Sequence, residues 1–203
     1  MRVIAGSARS VPLEAPKGTD VRPTTDKIKE TLFNMLQFDV PGSLFVDCFS
    51  GSGAIGIEAL SRAAEKAILI DHSRDAIQCI EKNLKRCHLE DKAVVLKMEA
   101  VSAIPSIRRY LDEDTDVIYF LDPPYDREQE YILLEAFSEN GMIRENDLVI
   151  LETSLEKGGI ERLPQFLKEI GLEIIKEKQY KNQRHVFIRK RRNHEDSDLS
   201  GKF

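Results

Sequence analysis

The chain has 203 residues, of which 41% are hydrophobic and 32% are charged, and a formal net charge of −5. This length suffices for one full-size domain, and no apolar run approaches the ~20 residues needed to span a bilayer. The amino-terminal sequence lacks the apolar core of a secretory signal. Three cysteines and four histidines show neither a disulfide framework nor metal-ligand spacing. We therefore expect a cytoplasmic, monomeric protein without a bound metal.

The chain opens with two short segments, RVIAG and VPLEAP, that could pair as a small hairpin. The next segment, RPTTDKIKETLFNML at 22–36, predicts a helix. Its N-cap is Thr24 or Thr25, because a hydroxyl there can accept a hydrogen bond from a free amide of the first turn. Apolar residues three and four positions apart form one stripe of this helix: Ile28, Leu32, Met35 and Leu36.

Short apolar runs and amphipathic stretches alternate through the middle of the chain. The runs predict strands at 43–48, 66–71, 93–98, 116–122 and 147–153. The stretches between and after them predict helices within 51–64, 73–87, 100–111, 127–139 and 160–170. Such alternation is typical of βαβ units around a parallel sheet that is covered on both faces.

The segment LEIIKEKQYKNQRHVFIRK, at 172–190, breaks this alternation. Its two strand-like pieces are joined by the polar KNQ, which leaves no room for a crossover helix and requires an antiparallel hairpin at one edge of the sheet. The fold class is therefore α/β, with a mostly parallel seven-stranded sheet. We predict a hairpin-and-helix extension over 1–40, a main domain over 41–192, and a disordered polar tail over 193–203.

A glycine-rich turn, VDCFSGSGAIG, joins the first predicted strand to its helix. Gly51, Gly53 and Gly56 match a dinucleotide-binding turn, and Asp71 lies where an acid would hold ribose hydroxyls of either NAD or S-adenosylmethionine (SAM). Asp47, directly before the turn, would repel a pyrophosphate but suits the ammonium group of SAM. The turn therefore favours SAM. A glycine turn that serves only tight strand-to-helix packing is the alternative.

The fourth predicted strand ends in DPPY, residues 122–125. An exocyclic amine of a nucleobase is a poor nucleophile, since its lone pair is delocalised into the ring. Asp122 and the carbonyl of Pro123 could accept its N–H groups and aim the lone pair at a methyl group, while the prolines fix the backbone and add no competing donor. Tyr125 could stack on the base. A rigid turn with a surface tyrosine is the alternative.

The whole layout resembles the bacterial 16S ribosomal RNA guanine-N2 methyltransferases. The resemblance covers about residues 1–190 and lies in MRVIAGSARS, RPTTDKIKETLFNML, LFVDCFSGSGAIGIEALSRAA and FLDPPY. It implies a Rossmann-like class I SAM methyltransferase fold. It also implies transfer of a methyl group to the N2 of a guanine of the 966 type. The substrate would be 16S rRNA, within the 30S subunit or its precursor.

The resemblance also implies a role for each matching residue. SAM would be bound by Asp47, Gly51, Ser52, Gly53, Asp71, Glu99, Ala100 and Thr24. The catalytic turn would be Asp122, Pro123, Pro124 and Tyr125. One departure concerns the third strand, where the family usually has Gly-Asp-Ala and this chain has Met98-Glu99-Ala100. The longer Glu99 side chain would either displace the contact to adenine or make it through a water molecule.

Basic residues near both ends of the chain suggest contacts with nucleic acid, although the net charge counts against it. Phosphate backbones respond to local basic patches, and the candidates are Arg2 and Arg9, together with Arg22, which the resemblance implies faces the site. Tyr125 is the candidate for stacking on a base. Residues 176–192 hold eight Lys or Arg residues and one acid, although a solvated last strand with a charged tail would have the same composition. We interpret His185, on that strand, as structural.

Three other functions fit parts of the sequence. A DNA adenine-N6 methyltransferase shares the DPPY chemistry, but such enzymes usually carry a sizeable target-recognition insert, for which this chain has no room. A non-catalytic RNA-binding ribosome assembly factor would not need Asp122. A nicotinamide dehydrogenase would need a hydride-site acid or base and a substrate domain. The guanine-N2 methyltransferase accounts for most of the motifs.

Overall fold

The computed structural model describes residues 1–16, 25–124, 128–155 and 161–191. Its strands are β1 Leu44–Asp47, β2 Lys66–Asp71, β3 Ala93–Lys97, β4 Val117–Leu121, β5 Leu148–Ser154, β6 Leu172–Gln179 and β7 Gln183–Lys190. Its α-helices are α1 Asp26–Met35, α2 Ala54–Ser61, α3 Arg74–Cys87, α4 Ile104–Arg108, α5 Gln129–Glu139 and α6 Leu163–Glu169. Short 3-10 turns at Glu90–Lys92 and Val101–Ala103 precede β3 and α4.

The strands form one sheet in the order β3-β2-β1-β4-β5-β7-β6. Strands β1 to β5 are parallel to one another, and β7 is antiparallel to both β5 and β6. This confirms the predicted α/β fold with a carboxyl-terminal antiparallel hairpin. The chain runs outward from β1 to β3 and then returns to β4 on the other side of β1, so the strand order reverses between β1 and β4. Ligands of such sheets bind in the crevice at this switch point.

Each face of the sheet carries its own apolar core. Phe45 and Phe120 face a core that includes α1, α2, α3 and the amino-terminal segment. Val46 and Tyr119 face the other core, which includes α4, α5 and α6. Because both faces are covered, β1 and β4 are buried along their whole length, and this is why they read as continuous apolar runs.

The predicted amino-terminal hairpin is present as a single antiparallel bridge, between Arg2 and Pro12. The intervening loop bonds instead to the end of α2: Ser7 N donates to Ser61 O at 2.8 Å, and Ala8 N donates to Ser61 Oγ at 3.0 Å. A side chain at Gly6 would place its Cβ 1.7 Å from Ser61 O, at a φ of +86° that also favours glycine. The loop of this hairpin is therefore attached to the end of α2.

Helix α1 is bounded as its sequence predicts. Thr25 is the N-cap, and its side chain accepts a hydrogen bond from Ile28 N. Thr24, the other candidate cap, lies outside the described residues. Leu32 and Leu36 of the predicted stripe are buried, whereas Ile28 and Met35 are half-buried.

Lys29, one turn into α1, is fully buried, although a lysine at this position reads as a surface residue. Its Nζ lies 3.1 Å from Glu58 Oε2 and donates to Arg2 O at 2.7 Å. Glu58, on α2, also accepts from Ile4 N, Ala5 N and the Arg62 guanidinium. This Lys29–Glu58 pair therefore joins α1, α2 and the amino-terminal segment through one buried ion pair.

We predict that Lys29→Met destabilises the protein by about 3 kcal/mol, because it leaves the buried Glu58 with Arg62 as its remaining cationic partner and removes the Lys29 donor to Arg2 O. Chemical denaturation would measure the free energy of unfolding. Lys27→Met, an identical change at an exposed position of the same helix, is the matched control and should alter stability by less than about 0.5 kcal/mol. Equal effects of the two substitutions would contradict a stabilising role for the Lys29–Glu58 pair.

Candidate active site

Four carboxylates lie at the carboxyl ends of adjacent strands. Asp47 ends β1, Asp71 ends β2, and Asp122 directly follows β4. Glu152 lies near the end of β5, at the same edge. The parallel register pairs Leu121 with Leu151, so Asp122 and Glu152 occupy neighbouring positions on adjacent strands. The structure therefore brings the predicted residues Asp47, Asp71 and Asp122 to the edge of the switch-point crevice, together with Glu152, which the sequence reading did not single out.

The glycine turn between β1 and α2 is held by Asp71. Its Oδ2 accepts from Gly51 N at 2.9 Å, and its Oδ1 accepts from Ser73 N at 2.8 Å. Gly51 and Gly53 have φ angles of +54° and +77°, which glycine adopts without steric cost. A Cβ at Gly51 would meet nothing within 4 Å, whereas one at Gly53 would crowd Leu69 at 3.1 Å. The Gly51 side of the turn is therefore open, and the Gly53 side is packed on the core.

Two further residues shape this turn, and sequence reasoning missed both. Ser50 Oγ donates to Asp47 O at 2.9 Å and accepts from Ile70 N at 3.0 Å, so it ties the end of β1 to β2. Asn83 Nδ2 donates to Ser52 O at 2.9 Å and to Glu14 O at 3.0 Å. The sequence indicated that Asn83 is buried, because it lies three residues after Ile80 on the apolar side of α3. No sequence pattern indicated the role of Ser50.

Asp47 is buried, with 1% of its surface exposed, and within the described ranges its carboxylate forms no ion pair. Burial raises the pKa of its carboxyl to about 7, and the nearby Asp122 and Asp71 charges act in the same direction. The amide of Gly56 opposes this by donating to Asp47 Oδ2 at 3.3 Å. Asp47 is therefore a carboxyl group whose ionisation is costly in the described structure.

Asp122 is half-buried, Pro123 is buried and Pro124 is exposed. Burial, followed by the charge of Glu152, raises the pKa of the Asp122 carboxyl well above its ordinary range. Asp122 also raises the pKa of Asp47 through its charge. The two aspartates thus lie close enough to influence each other across the switch point. Tyr125 lies outside the described residues.

The other predicted site residues lie at several places. Glu99 is exposed and Ala100 is buried just after β3, at the same edge of the sheet as Asp71. Ser52 is half-buried and its Oγ lies 3.7 Å from Met1 Sδ, so the amino-terminal segment reaches the glycine turn. Arg2 is exposed and lies 3.4 Å from Asp26, and Arg9 is exposed. Arg22 and Thr24 fall outside the described ranges.

The charge of this crevice favours a cationic ligand. A pyrophosphate at the glycine turn would face the carboxyls of Asp47 and Asp71, whereas a sulfonium or ammonium group would relieve their mutual repulsion. The residues present therefore fit SAM better than a dinucleotide. In the described ranges, no three His, Cys, Asp or Glu side chains are arranged to hold a metal ion. No helix in those ranges is long and apolar enough to span a membrane.

A groove of about 480 Å³ lies at the opposite edge of the sheet. Its lining includes Pro41, Ser43, Val117 and Leu148, which lie at or just before the amino ends of β1, β4 and β5. Parallel sheets of this type bind ligands beyond the carboxyl ends of their strands. The carboxylate edge is therefore the better candidate for the active site.

We predict that Asp47→Asn makes the protein more stable at pH 8 and has little effect at pH 4. A carboxyl whose pKa rises on folding contributes stability below its unfolded pKa, near 4, and loses it as the pH rises through about 7. The expected difference is on the order of 4 kcal/mol, at about 1.4 kcal/mol per pKa unit. Denaturation at several pH values would measure it. If the difference in unfolding free energy between wild type and variant does not change with pH, the raised pKa of Asp47 is wrong.

Comparison with known proteins shows the family to which the chain belongs. A family model described as conserved hypothetical protein 95 matches residues 1–189. A Bacillus subtilis protein described as a candidate rRNA methyltransferase is 39% identical over 156 residues, which are 77% of this chain and 84% of the relative. The ribosomal RNA small subunit methyltransferase D of Escherichia coli K12 is 35% identical over 158 residues, which are 78% of this chain and 77% of the relative.

Solved structures give the same result. A candidate methyltransferase from Escherichia coli superposes with a TM-score of 0.75 at 30% identity, over 94% of this chain and 98% of that one. A candidate methylase from Haemophilus influenzae superposes with a TM-score of 0.70 at 26% identity, over 95% and 99% of the two chains. The chain therefore belongs to the conserved hypothetical protein 95 family, together with the bacterial ribosomal RNA small subunit methyltransferases D.

Proposed function

We propose that this protein transfers a methyl group from SAM to the exocyclic N2 of a guanine in small-subunit ribosomal RNA. The observation that carries the proposal is the position of Asp122-Pro123-Pro124 at the end of β4, beside the acidic glycine turn of β1. The names of the curated relatives support ribosomal RNA as the substrate. The choice of N2 of guanine, and of a base of the 966 type, depends on the sequence resemblance described above.

The glycine turn and its acids would hold the cofactor. When bound, SAM supplies a methyl group on a positively charged sulfur. The open side of Gly51 admits the ligand close to the backbone, and Ser52 offers a hydroxyl there. Asp71 retains free lone pairs besides the two that accept from Gly51 N and Ser73 N, so it could also accept from ribose hydroxyls. Glu99 and Ala100 would lie beside the adenine.

Asp122 would orient the amine that receives the methyl group. Its carboxylate and the carbonyl of Pro123 would accept the two N–H groups, so that the nitrogen lone pair points at the methyl carbon. Pro124, like Pro123, has no N–H that could compete for these acceptors. The high pKa of Asp122 in the free site has a consequence for binding. A cation placed beside it would favour its ionised form, so SAM binding and ionisation of Asp122 would promote each other.

RNA would approach the same edge of the sheet. Arg2 and Arg9 are exposed on the amino-terminal segment, which reaches the glycine turn through Met1 and Ser52. These two arginines would contact phosphates. Arg22 and Tyr125 are proposed for the phosphate backbone and for stacking on the target base, respectively. We further propose that the substrate is 16S rRNA within the 30S subunit or its precursor and that the enzyme acts as a cytoplasmic monomer.

The short loops favour RNA over duplex DNA. The connection from β1 to α2 covers residues 48–53, and that from β2 to α3 covers only 72–73. Reading base edges in the major groove requires an element that can enter it. The described loops at the active-site edge offer no such element. An RNA base displayed by a folded ribosomal particle would not require one.

The first experiment compares substrates. The full chain would be incubated with methyl-labelled SAM and, in separate reactions, naked 16S rRNA, immature 30S particles and duplex DNA. We expect label in ribosomal RNA, and digestion to nucleosides should recover it as N2-methylguanosine. Label in DNA alone would overturn the ribosomal assignment, and label on another RNA atom would overturn the choice of N2.

A second experiment separates catalysis from cofactor binding. We predict that Asp122→Ala lowers the single-turnover rate by roughly 10²-fold or more, since it removes an acceptor that acts on the reacting amine. The same variant should lose far less SAM affinity than activity in calorimetry, because it removes one nearby charge but none of the residues proposed to hold SAM. Asp71→Ala should instead weaken SAM binding, because it removes the acceptor for Gly51 N and for the ribose.

Asp91→Ala, at an exposed acid remote from the crevice, is the matched control and should leave both quantities unchanged. Asp122→Asn retains a carbonyl acceptor and should keep more activity than Asp122→Ala. Full activity of Asp122→Ala would contradict the amine-orienting role.

A further inference from the structure

We propose that Glu152, His185 and Tyr180 form a proton relay that conducts the proton released during methyl transfer from the vicinity of Asp122 to the protein surface. This inference rests on the proposed function. We name these three residues the relay. None of them belongs to the glycine turn or to the DPPY segment.

The relay is a continuous chain of hydrogen bonds that begins beside Asp122. Glu152 occupies the position next to Asp122 on the adjacent strand, and its Oε2 lies 2.8 Å from His185 Nε2. The other imidazole nitrogen, Nδ1, lies 3.2 Å from the Tyr180 hydroxyl. Glu152 and His185 are buried, whereas Tyr180 is half-buried beside the turn between β6 and β7. The chain thus runs from the active-site edge toward solvent.

The electrostatic setting of Glu152 is unusual for a structural carboxylate. Glu58, the other deeply buried glutamate, has two cationic partners, Lys29 and Arg62. Among the described residues, the recorded hydrogen-bond partners of Glu152 are His185 and Gln183, whose Nε2 lies 2.5 Å from Glu152 Oε1. Asp122 adds a second carboxylate nearby. A buried carboxylate without a cationic partner is costly to ionise. Glu152 is therefore suited to take up a proton and release it again.

The hydrogen bonds can be satisfied in two arrangements. When Glu152 is ionised, His185 Nε2–H donates to it and the Tyr180 hydroxyl donates to Nδ1. When Glu152 is protonated, its O–H donates to Nε2 and Nδ1–H donates to the Tyr180 oxygen. The imidazole is neutral in both arrangements, and only its tautomer changes. Conversion of the second arrangement into the first moves the Glu152 proton to Nε2 and the Nδ1 proton to the Tyr180 oxygen. The Tyr180 hydroxyl releases its own proton to solvent in the same step, so one proton in total leaves the Glu152 end.

The pKa values agree with this behaviour. Burial raises the pKa of Glu152 to about 7, so both of its forms are accessible near neutral pH. Burial lowers the pKa of His185 to about 4, which keeps the imidazole neutral and able to accept on one nitrogen while donating from the other. Lys178, on β6, is paired with His185 in the strand register and is exposed. Asp122 and Lys178 are thus the charged groups that face the relay from the neighbouring strands.

The proposed reaction requires such an exit for a proton. The amine nitrogen forms a bond to the methyl carbon, and the carbon–sulfur bond breaks with its electron pair remaining on sulfur. The nitrogen thereby becomes cationic and must release one proton. Asp122 is the neighbouring acceptor in the proposed geometry, and Glu152 is the next carboxylate. Without an outlet, the proton would stay between the half-buried Asp122 and the buried Glu152 while the substrates cover the crevice, and it would oppose the next turnover.

Nuclear magnetic resonance tests the relay without requiring activity. The full chain would be labelled with nitrogen-15 at its four histidines, and His185→Gln would assign the His185 signals. We expect His185 to remain neutral between about pH 5.5 and 9 and to exchange one tautomer for the other with a midpoint near 7. Glu152→Gln should abolish the exchange. A single tautomer over this range, or protonation to imidazolium, would overturn the relay.

Kinetics then tests whether the relay serves the reaction. We expect Tyr180→Phe to lower the single-turnover rate of methyl transfer about tenfold and Glu152→Gln to lower it about 10²-fold, as for general acid–base groups. SAM affinity and melting temperature should stay near wild type in Tyr180→Phe, which keeps the ring packed edge-on against His185 at 5.1 Å. The same change at the exposed Tyr110 is the matched control and should have no effect.

The two proposals fail in different ways. If the wild-type protein methylates RNA and both relay variants retain wild-type rates across the pH range, the relay is wrong and the proposed function stands. If the wild-type protein transfers no methyl group to any RNA, the proposed function is wrong, and the tautomer measurement alone decides whether the relay exchanges a proton.

Discussion

The reversal of strand order between β1 and β4 is the constraint on which the rest of the molecule depends. The helix that follows β1 packs on one face of the sheet, and the helix that follows β4 packs on the other. The connections that follow β1 and β4 therefore diverge at the carboxyl edge and leave a crevice between them. Asp47 and Asp122 lie at the two sides of that crevice because each ends or directly follows its strand. The same geometry places Asp71 and Glu152 beside them, on the flanking strands.

The buried carboxylates Glu58, Asp47 and Glu152 have different hydrogen-bond and charge partners. Glu58 is neutralised by Lys29 and Arg62, far from the crevice, and serves to hold the amino-terminal segment. Asp47 accepts from the Gly56 amide and has no cationic partner in the part of the chain that the structure describes, whereas Glu152 is bonded to an imidazole and a side-chain amide. Only the first arrangement removes the cost of the buried charge. The other two keep that cost at the edge of the sheet where we propose that a cationic cofactor binds and a proton is released. These uncompensated carboxylates thus lower the stability of the protein at the site where the proposed reaction uses them.

The amino-terminal segment is bonded to and packed against the elements that form the site. Glu14 is bonded to Asn83, which also holds the glycine turn at Ser52, and Met1 lies against the same turn. Buried Val3 and Leu13 contribute to the core that α1 and α2 share. An extension that reads in sequence as an appendage is therefore bonded to the glycine turn. This attachment supports the proposal that its arginines approach RNA at the carboxylate edge.

The sequence by itself determined the order and type of the elements, the parallel sheet with its terminal hairpin, and the meeting of Asp47, Asp71 and Asp122 at one edge. These follow from local periodicity and from the rule that parallel strands point their carboxyl ends the same way. Only the tertiary structure decided which polar residues are buried and what they contact. Lys29 and Glu152 read as ordinary charged residues, and His185 read as structural, because their partners lie 29, 33 and 33 residues away along the chain. Contacts over such separations depend on strand register and helix packing, which no local pattern specifies.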